Sequence, residues 1–278
     1  STLDNEKLNI LGSGGDDIRL LSGRVPSLLI ESSFGRAFPR FYIRGLGNTD
    51  FDLNASQPVS LIYDDVVQEN PILKGFPVFD LEMVEVFRGP QGTLFGRNTP
   101  AGVVKFNSVR PSREMGGYFQ ASYGEDATVN LEGAVGGPLG KNWSMRLSAM
   151  YQHRDDWVDN YEPDGDLIEK NAFEGYDEAA GRLQFLYEPS EDFSALINIH
   201  ARTLDGTARM FRANVFELGS QGLVSGFDED VVSYDGSNDQ DLDSSGGSLR
   251  ISKNFGNVTL HTITGYETVD VLSRGDID

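Results

Sequence analysis

The residue types that could carry out chemistry are sparse in this 278-residue chain. It contains no Cys and only three His, so the sequence offers no thiol nucleophile and no Cys-based metal site. No serine-hydrolase, zinc-protease or phosphate-loop motif is present. Asp239, Asp241 and Asp243 resemble the start of a calcium loop, but the glycine and terminal glutamate of that loop are wrong, so they are a weak metal candidate. We therefore expect no enzyme activity and no cofactor.

Charge is distributed unevenly along the chain. The formal net charge is −20, which argues against nucleic acid as a partner. Residues 1–111 hold 13 acidic and 11 basic residues, whereas residues 112–278 hold 30 and 12. Most of the acid excess lies in 154–177 and 205–244, which lack sustained apolar periodicity and are rich in Gly, Asp, Asn and Ser. Both segments are predicted to be long, solvated loops.

Between these loops, apolar and polar residues alternate with a period of two, which is typical of half-buried strands. Seven segments show the pattern, the last less regularly than the others. They are 119–123, 129–135, 143–152, 183–187, 193–202, 249–255 and 257–267. The polar faces carry four arginines that would suit a water-filled interior, and these are Arg146, Arg182, Arg202 and Arg250.

The connections favour a membrane barrel. Both long loops fall at one end of the predicted sheet, and the other end has short turns such as Gly136-Gly137-Pro138. Outer-membrane barrels have long external loops, short periplasmic turns and aromatic residues near strand ends. A soluble β-sandwich also alternates and is the alternative. Because single-chain bacterial barrels have an even number of strands from 8 upward, we expect this sequence to be an N-terminal-side piece of a longer protein.

Residues 1–111 are predicted to form a small mixed α/β unit ahead of these strands. Glycines and prolines interrupt its apolar segments at close intervals. The predicted elements are a helix at 16–22, strands at 41–44, 59–63, 83–87 and 102–107, and a helical turn at 91–95.

Three ordered motifs in this unit resemble those of TonB-dependent outer-membrane receptor plugs. Residues 41–47 (FYIRGLG) look like the "IRG" segment, and residues 61–66 (LIYDDV) resemble the "YxDGV" segment, with Asp65 in place of its glycine. Residues 84–104 (VEVFRGPQGTLFGRNTPAGVV) match the most diagnostic run of the family almost throughout. The resemblance implies an α+β plug over 1–111, followed over 112–278 by antiparallel strands of an incomplete transmembrane β-barrel, 22-stranded in the family.

The resemblance also assigns roles to two plug arginines. Arg44 of the "IRG" segment and Arg88 of the "RGP" segment match arginines that pair with glutamates on the inner barrel wall in the family. A buried charge requires a partner, and the family places these glutamates on later strands, beyond Asp278. The alternative is a local ion pair, for example between Arg88 and Glu85.

Ligand contacts are expected from the outward loops of such a plug and from the external loops of the barrel. The alternative is that these residues only solvate loop tips. The candidates on the plug apex are Phe34, Arg36, Phe38, Asn48, Asp50, Gln68, Asn70 and Lys74. The candidates on the external loops are Trp157, Tyr161, Tyr176, Phe211 and Tyr234.

The function implied by the resemblance is TonB-dependent uptake of a scarce nutrient across the outer membrane of a Gram-negative bacterium. The partners would be the TonB–ExbB–ExbD complex, a small-molecule ligand and outer-membrane lipid. The acidic loops favour a neutral or cationic ligand such as a carbohydrate over an anionic ferric siderophore, which remains the ligand alternative. A surface receptor with a signalling or structural role and no transport is the functional alternative. No TonB box or signal peptide is visible, so we expect further residues before Ser1.

Overall fold

The computed structural model describes residues 1–4, 8, 17–32, 34–50, 52, 54–208, 210–212 and 215–276. Its strands are β1 (Thr2–Asp4), β2 (Leu28–Ser32), β3 (Pro39–Ile43), β4 (Val59–Tyr63), β5 (Val66–Gln68), β6 (Leu81–Arg88), β7 (Gly102–Ser108), β8 (Gly116–Tyr123), β9 (Val129–Pro138), β10 (Trp143–Arg154), β11 (Val158–Tyr161), β12 (Leu167–Phe173), β13 (Tyr176–Ser190), β14 (Phe193–Thr207), β15 (Val231–Val232), β16 (Asp239–Asn254) and β17 (Thr259–Ser273). Short helices span Ile18–Leu21, Ile72–Lys74 and Gly92–Phe95. Within the described ranges, no helix is both long and apolar enough to span a membrane.

The N-terminal unit, called the plug below, is built on a five-stranded sheet in the order β1-β6-β7-β4-β5. β4 and β7 pair in parallel, which buries β4 completely. The hairpin of β2 and β3 lies beside this sheet and contributes Leu28, Phe41 and Ile43 to one apolar core. Within the predicted helix at 16–22, whose first residue lies outside the described ranges, Ile18–Leu21 form a single 3₁₀ turn. Asp17 caps this turn by accepting a hydrogen bond from the Arg19 backbone N–H.

The seven long strands after the plug form one antiparallel sheet, called the wall below. Their order is β17-β16-β14-β13-β10-β9-β8, so each strand pairs with its neighbours along the chain once the short loop strands are set aside. The sheet is an open arc with β8 and β17 at its edges. The connections 124–128, 155–175 and 208–238 lie at one end, called the long-loop end, and 139–142, 191–192 and 255–258 lie at the other.

The two long loops differ from their prediction. β16 begins at Asp239, so the last six residues of the predicted loop 205–244 lie in the wall. β11, β12 and β15 form a separate three-stranded sheet with a small apolar cluster that includes Val158 and Val232. These strands are only two to seven residues long, and β15 pairs in parallel with a segment about 70 residues earlier, so no local periodicity revealed them.

The two faces of the wall have reversed polarity compared with a soluble protein. On β10, Leu147 is 46% exposed, whereas Ser148 is 1% exposed. On β14, Ile199 is 54% exposed, whereas Asn198 is 2% exposed. The apolar face therefore points outward and the polar face is buried against the plug, as in a membrane barrel and opposite to a sandwich.

Candidate functional site

A cavity of about 610 Å³ lies between the plug and the wall at the long-loop end. We call it the basic cavity, because the described residues that line it include five arginines and two carboxylates. These charged residues are Arg19, Arg24, Arg36, Arg154, Arg212, Asp17 and Glu174. Its sign is therefore opposite to the strong negative charge of residues 112–278 as a whole. Arginine clusters of this kind suit carboxylate, phosphate and other anionic groups.

The plug side of the basic cavity is shaped by the 3₁₀ turn after Asp17. The Arg19 Nε donates to both carboxylate oxygens of Asp17, at 2.9 and 2.8 Å. Burial alone would raise the pKa of Asp17, but the guanidinium groups of Arg36 and Arg19 together hold it below its usual value. Arg24 donates to the Leu20 carbonyl at 2.5 Å. The carboxylate of Asp17 thus stays ionised and positions the arginine beside it.

Arg36 connects the plug to the wall. Its guanidinium donates to Glu178 at 2.8 Å and to Gln152 at 2.5 Å, and its Cζ lies 4.0 Å from the centroid of the Tyr176 ring. The Glu178 carboxylate also pairs with Arg202 of the wall at 2.7 Å. Arg36 was predicted to contact ligand at the apex, and it does line the basic cavity, but its charge is already shared with Glu178.

The backbone of the apex loop is fixed to the wall by Gln240. Its Nε2 donates to the Phe34 carbonyl at 2.6 Å, and its Oε1 accepts from the Arg36 N–H at 3.2 Å. Gly35 has φ +58°, and a Cβ there would lie 2.9 Å from the Thr207 carbonyl oxygen. The loop can approach the wall this closely because Gly35 has no side chain.

Three other predicted apex residues line a different cavity. Gln68, Asn70 and Lys74 border a space of about 490 Å³ among plug residues, which we call the amide cavity. Lys74 is 3% exposed, and its Nζ donates to the Val59 carbonyl at 3.0 Å and to Gln57 Oε1 at 3.3 Å. Burial lowers the pKa of Lys74 to about 8. Gln68 is 1% exposed, and neither of its amide atoms has a partner among the described residues.

The remaining predicted apex residues line neither cavity. Phe38 is 2% exposed, and its ring lies 5.3 Å from that of Phe34, so its role as a ligand contact stays a prediction. Asn48 and Asp50 accept hydrogen bonds from backbone N–H groups two residues further on, so they organise their own loop.

The predicted contacts on the external loops also divide into two groups. Trp157 and Tyr176 line the basic cavity. Tyr161, Phe211 and Tyr234 line a groove of about 730 Å³ between the loops, and Arg212 borders both spaces. The Arg212 Nε is buried without a hydrogen-bond partner among the described residues, which leaves a donor available beside the basic cavity.

The weak metal candidate is not supported. Asp239, Asp241 and Asp243 lie on β16, and all three are exposed on one face of an extended strand. A straight strand separates such residues by about 6.7 Å and cannot wrap their carboxylates around one ion. No cluster of metal-ligating side chains occurs within the described ranges.

Arg44 and Arg88 contact no wall residue among those the structure describes. Arg44 has φ +55° and is exposed, and no ion pair joins it to another described residue. Arg88 is half-buried and donates to Ser1 Oγ at 3.1 Å and to the Pro26 carbonyl at 3.5 Å. The suggested local pair between Arg88 and Glu85 is not formed. The pairing of both arginines with barrel glutamates stays a prediction.

Sequence reasoning missed most of the basic cavity and the main plug–wall contact. Arg19, Arg24, Arg154 and Arg212 share no motif or spacing, and only the fold brings them together. Asp80 was not predicted either. It lies directly before β6, and its φ of +48° marks an unusual turn. Its partners, Arg146 and Arg182, are two of the four arginines predicted on the polar strand faces.

Comparison with known sequences identifies the plug. The domain described as the TonB-dependent receptor plug domain matches residues 6–103. The ferrioxamine B receptor of Salmonella typhimurium is 36% identical over 77 residues, which are 27% of this chain and 11% of that protein. The pesticin receptor of Yersinia pestis is 26% identical over 115 residues, which are 41% of this chain and 17% of that protein.

Solved receptor structures share the fold of nearly the whole chain. The ferric yersiniabactin uptake receptor of Yersinia pestis has a TM-score of 0.80 at 17% identity, covering 98% of this chain and 40% of that one. The closed form of the ferric-catecholate import receptor of E. coli has a TM-score of 0.73 at 18% identity, covering 98% and 37%. The chain thus spans at most two fifths of these proteins. The predicted family, fold class and outer-membrane location are confirmed. Residues 6–103 thus match the TonB-dependent receptor plug domain, and the chain has the fold of the solved receptors, a plug followed by antiparallel strands of an open, incomplete barrel.

Proposed function

We propose that this protein takes up an anionic ferric siderophore across the outer membrane in a TonB-dependent manner. The observation that carries the proposal is the basic cavity between the plug and the wall at the long-loop end. A ligand held there contacts both the movable plug and the fixed wall. Its binding can therefore bias the plug between two states, as a gated transporter requires.

The ligand class follows from local rather than global charge. Electrostatic attraction acts over about 8–10 Å at physiological salt, so the side chains that line a cavity outweigh distant loop charges. Five arginines against two carboxylates favour an anion, whereas the acidic composition of the loops had favoured a carbohydrate. The names of the relatives, which include receptors for ferrioxamine, ferric yersiniabactin and ferric catecholates, support a siderophore.

The proposed energising partners are those that the match to the TonB-dependent receptor plug domain supports. We propose that the TonB–ExbB–ExbD complex pulls on the plug from the periplasm and that the apolar outer face of the wall contacts outer-membrane lipid. The outward-facing Leu147 and Ile199, both about half exposed, support the lipid contact. No bond of the ligand is made or broken in this process.

The test is uptake of radioactive iron by a strain that depends on the full-length receptor. Ferric tris-catecholate serves as the anionic probe, and the same strain without TonB is the control. We expect accumulation in the first strain and surface binding without accumulation in the second. Growth on an oligosaccharide with no iron uptake would contradict the proposed ligand. Binding without uptake in the TonB-containing strain would contradict transport and favour a signalling receptor.

A further inference from the structure

Four arginines on the inner face of the wall occupy four successive inward-facing rows of the sheet. The residues of β13 give a common register for these arginines. Arg182 lies on β13 itself, Arg202 pairs with Ala180, and Arg146 pairs with Gln184. Arg250 pairs opposite Leu196, which pairs opposite Leu186. The rows therefore step through positions 180, 182, 184 and 186, about 6.7 Å apart along the strand. The series begins near the basic cavity and runs toward the short-turn end.

The plug supplies the counter-charges for three of these arginines. Arg146 donates to the Asp80 carboxylate at 2.8 and 2.5 Å, and Arg182 donates to it at 3.3 Å and to the Asp80 carbonyl at 2.8 Å. Arg250 pairs with Asp65 of the plug. Both side chains of the Arg182–Asp80 pair are fully buried. These contacts neutralise the wall arginines only while the plug is in place.

In the plugged state, three wall carboxylates have partners other than Arg146, Arg182 and Arg250. Glu178 is paired with Arg202, and Glu267 lies 2.9 Å from His200. Glu132 accepts hydrogen bonds from the Asp80 N–H and from the Tyr118 hydroxyl. When the plug moves away, Arg146, Arg182 and Arg250 lose their carboxylates together.

Two of the arginines also hold unused donors in the plugged state. The Nε of Arg182 and one Nη of Arg202 are buried without a partner among the described residues. An unpaired buried donor is unfavourable, and an unpaired buried guanidinium is more so. An anion that arrives as Asp80 and Asp65 leave would supply both the missing counter-charge and a hydrogen-bond acceptor for the unpaired donors.

We propose that Arg202, Arg182, Arg146 and Arg250 form a basic path along the barrel wall, which the plug carboxylates Asp80 and Asp65 mask and which an anionic ligand follows when the plug moves. The path rests on the proposed uptake of an anion and adds a second selection step after the basic cavity. None of these six residues lines the basic cavity. The cavity sets affinity, and the path sets the rate at which an anion leaves the cavity inward.

The test compares the two sides of one contact in the full-length receptor. Arg182→Gln and Asp80→Asn both break the same ion pair, but only the first removes a charge from the path. Binding of ferric tris-catecholate to purified receptor and its uptake by cells are measured, with near-neutral ferric tris-hydroxamate as the second probe. Immunoblots of outer membranes confirm equal receptor levels, and Arg182→Lys, which keeps the charge, is the matched control.

We expect both variants to bind the catecholate as tightly as the unmodified receptor does. Arg182→Gln should lower the ratio of catecholate to hydroxamate uptake by at least about fivefold, because the local anion concentration falls. Asp80→Asn should keep or raise that ratio, and Arg182→Lys should keep it. Equal effects of Arg182→Gln and Asp80→Asn on the ratio would contradict the proposed path. They would mean that the ion pair only holds the plug against the wall.

A second pair protects the test against a folding failure. If Arg182→Gln does not assemble, Arg250→Gln and Asp65→Asn carry the same comparison through a different contact. Failure of the proposed function has a separate signature, since the unmodified receptor would then not bind the catecholate, or would bind it without uptake. In either case the measurement on the unmodified receptor fails before any variant is compared, and the path is rejected together with the function.

Discussion

The plug makes two kinds of contact within one molecule. Its own sheet and hairpin close on an apolar core that includes Leu61, Val84 and Phe106, each at most 1% exposed. Its contact with the wall is mostly polar, through Arg36 with Glu178 and Asp80 with Arg146 and Arg182, beside a small apolar cluster around Leu204 and Leu242.

This difference fits a gate that moves as a unit. Separating two apolar surfaces exposes them to water at a cost of about 25 cal/mol per Å², whereas water can take over a broken polar contact. A polar interface can therefore open while the apolar core stays closed. The contrast predicts that substitutions in the core and at the interface affect different parts of the plug.

The largest effect is expected from the core. Phe106→Ala removes a buried aromatic side chain and should destabilise the plug by about 3–5 kcal/mol. Hydrogen exchange of β4, β6 and β7 amides in the full-length receptor should accelerate by roughly a hundredfold or more, while wall amides keep their rates. Unchanged exchange in β6 and β7 would show that this cluster does not hold the plug together.

A buried charge inside the plug should make its stability depend on pH. Lys74 has a pKa of about 8 in the folded plug against 10.5 for the free side chain, so the unfolded state binds the proton more tightly. Plug stability should therefore rise as pH increases from about 8 to 10.5, by up to about 3 kcal/mol, and the burial penalty should be complete below pH 8.

Calorimetry of the full-length receptor across this pH range checks the Lys74 prediction. Lys74→Met is the matched variant, because methionine has a side chain of similar length and shape but carries no charge. Its plug transition should lose most of the rise above pH 8. The same pH slope in both proteins would assign the effect to another group.

Breaking the interface should have a smaller and more local effect. Asp80→Asn keeps the shape of the side chain but leaves Arg146 and Arg182 without their counter-charge, at a cost of about 2 kcal/mol to plug docking. Hydrogen exchange should accelerate near residues 78–82 and along the facing part of β13, with β4 and β7 unchanged. Faster exchange throughout the plug would contradict the separation of core and interface.

An exposed ion pair should contribute least. Arg97 and Glu69 lie 3.1 Å apart with side chains that are 79% and 43% exposed. Arg97→Ala should change plug stability by about 0.5 kcal/mol or less, because water screens the pair. A loss comparable to that of Asp80→Asn would mean that exposure does not separate the two kinds of ion pair.

The wall could largely be predicted from the sequence, because each strand carries apolar side chains on its outer face and polar side chains on the face toward the plug. The predicted segment 193–202, for example, lies within β14. The plug was recognisable because glycines and prolines hold its turns at fixed spacing, as in residues 84–104. Both signals are local along the chain.

The basic cavity could not be predicted from the sequence in the same way. Its arginines come from the plug, from the end of β10 and from the loop near Arg212, and no local pattern links them. The loop acids dominated the sequence and suggested the opposite ligand charge. The paired β11 and β15 were missed for a related reason, since pairing between distant segments leaves no local periodicity.

Binding of an anionic chelate tests the assignment of the basic cavity as the ligand site. Calorimetric titration of ferric tris-catecholate into purified full-length receptor is compared for the unmodified protein, Arg154→Gln in the basic cavity and Arg113→Gln at the short-turn end, where Arg113 donates to the Glu188 carbonyl at 3.1 Å. We predict that Arg154→Gln weakens binding at least about tenfold, or 1.4 kcal/mol, and that Arg113→Gln does not. Equal affinities of all three proteins would contradict the assignment of the basic cavity as the ligand site.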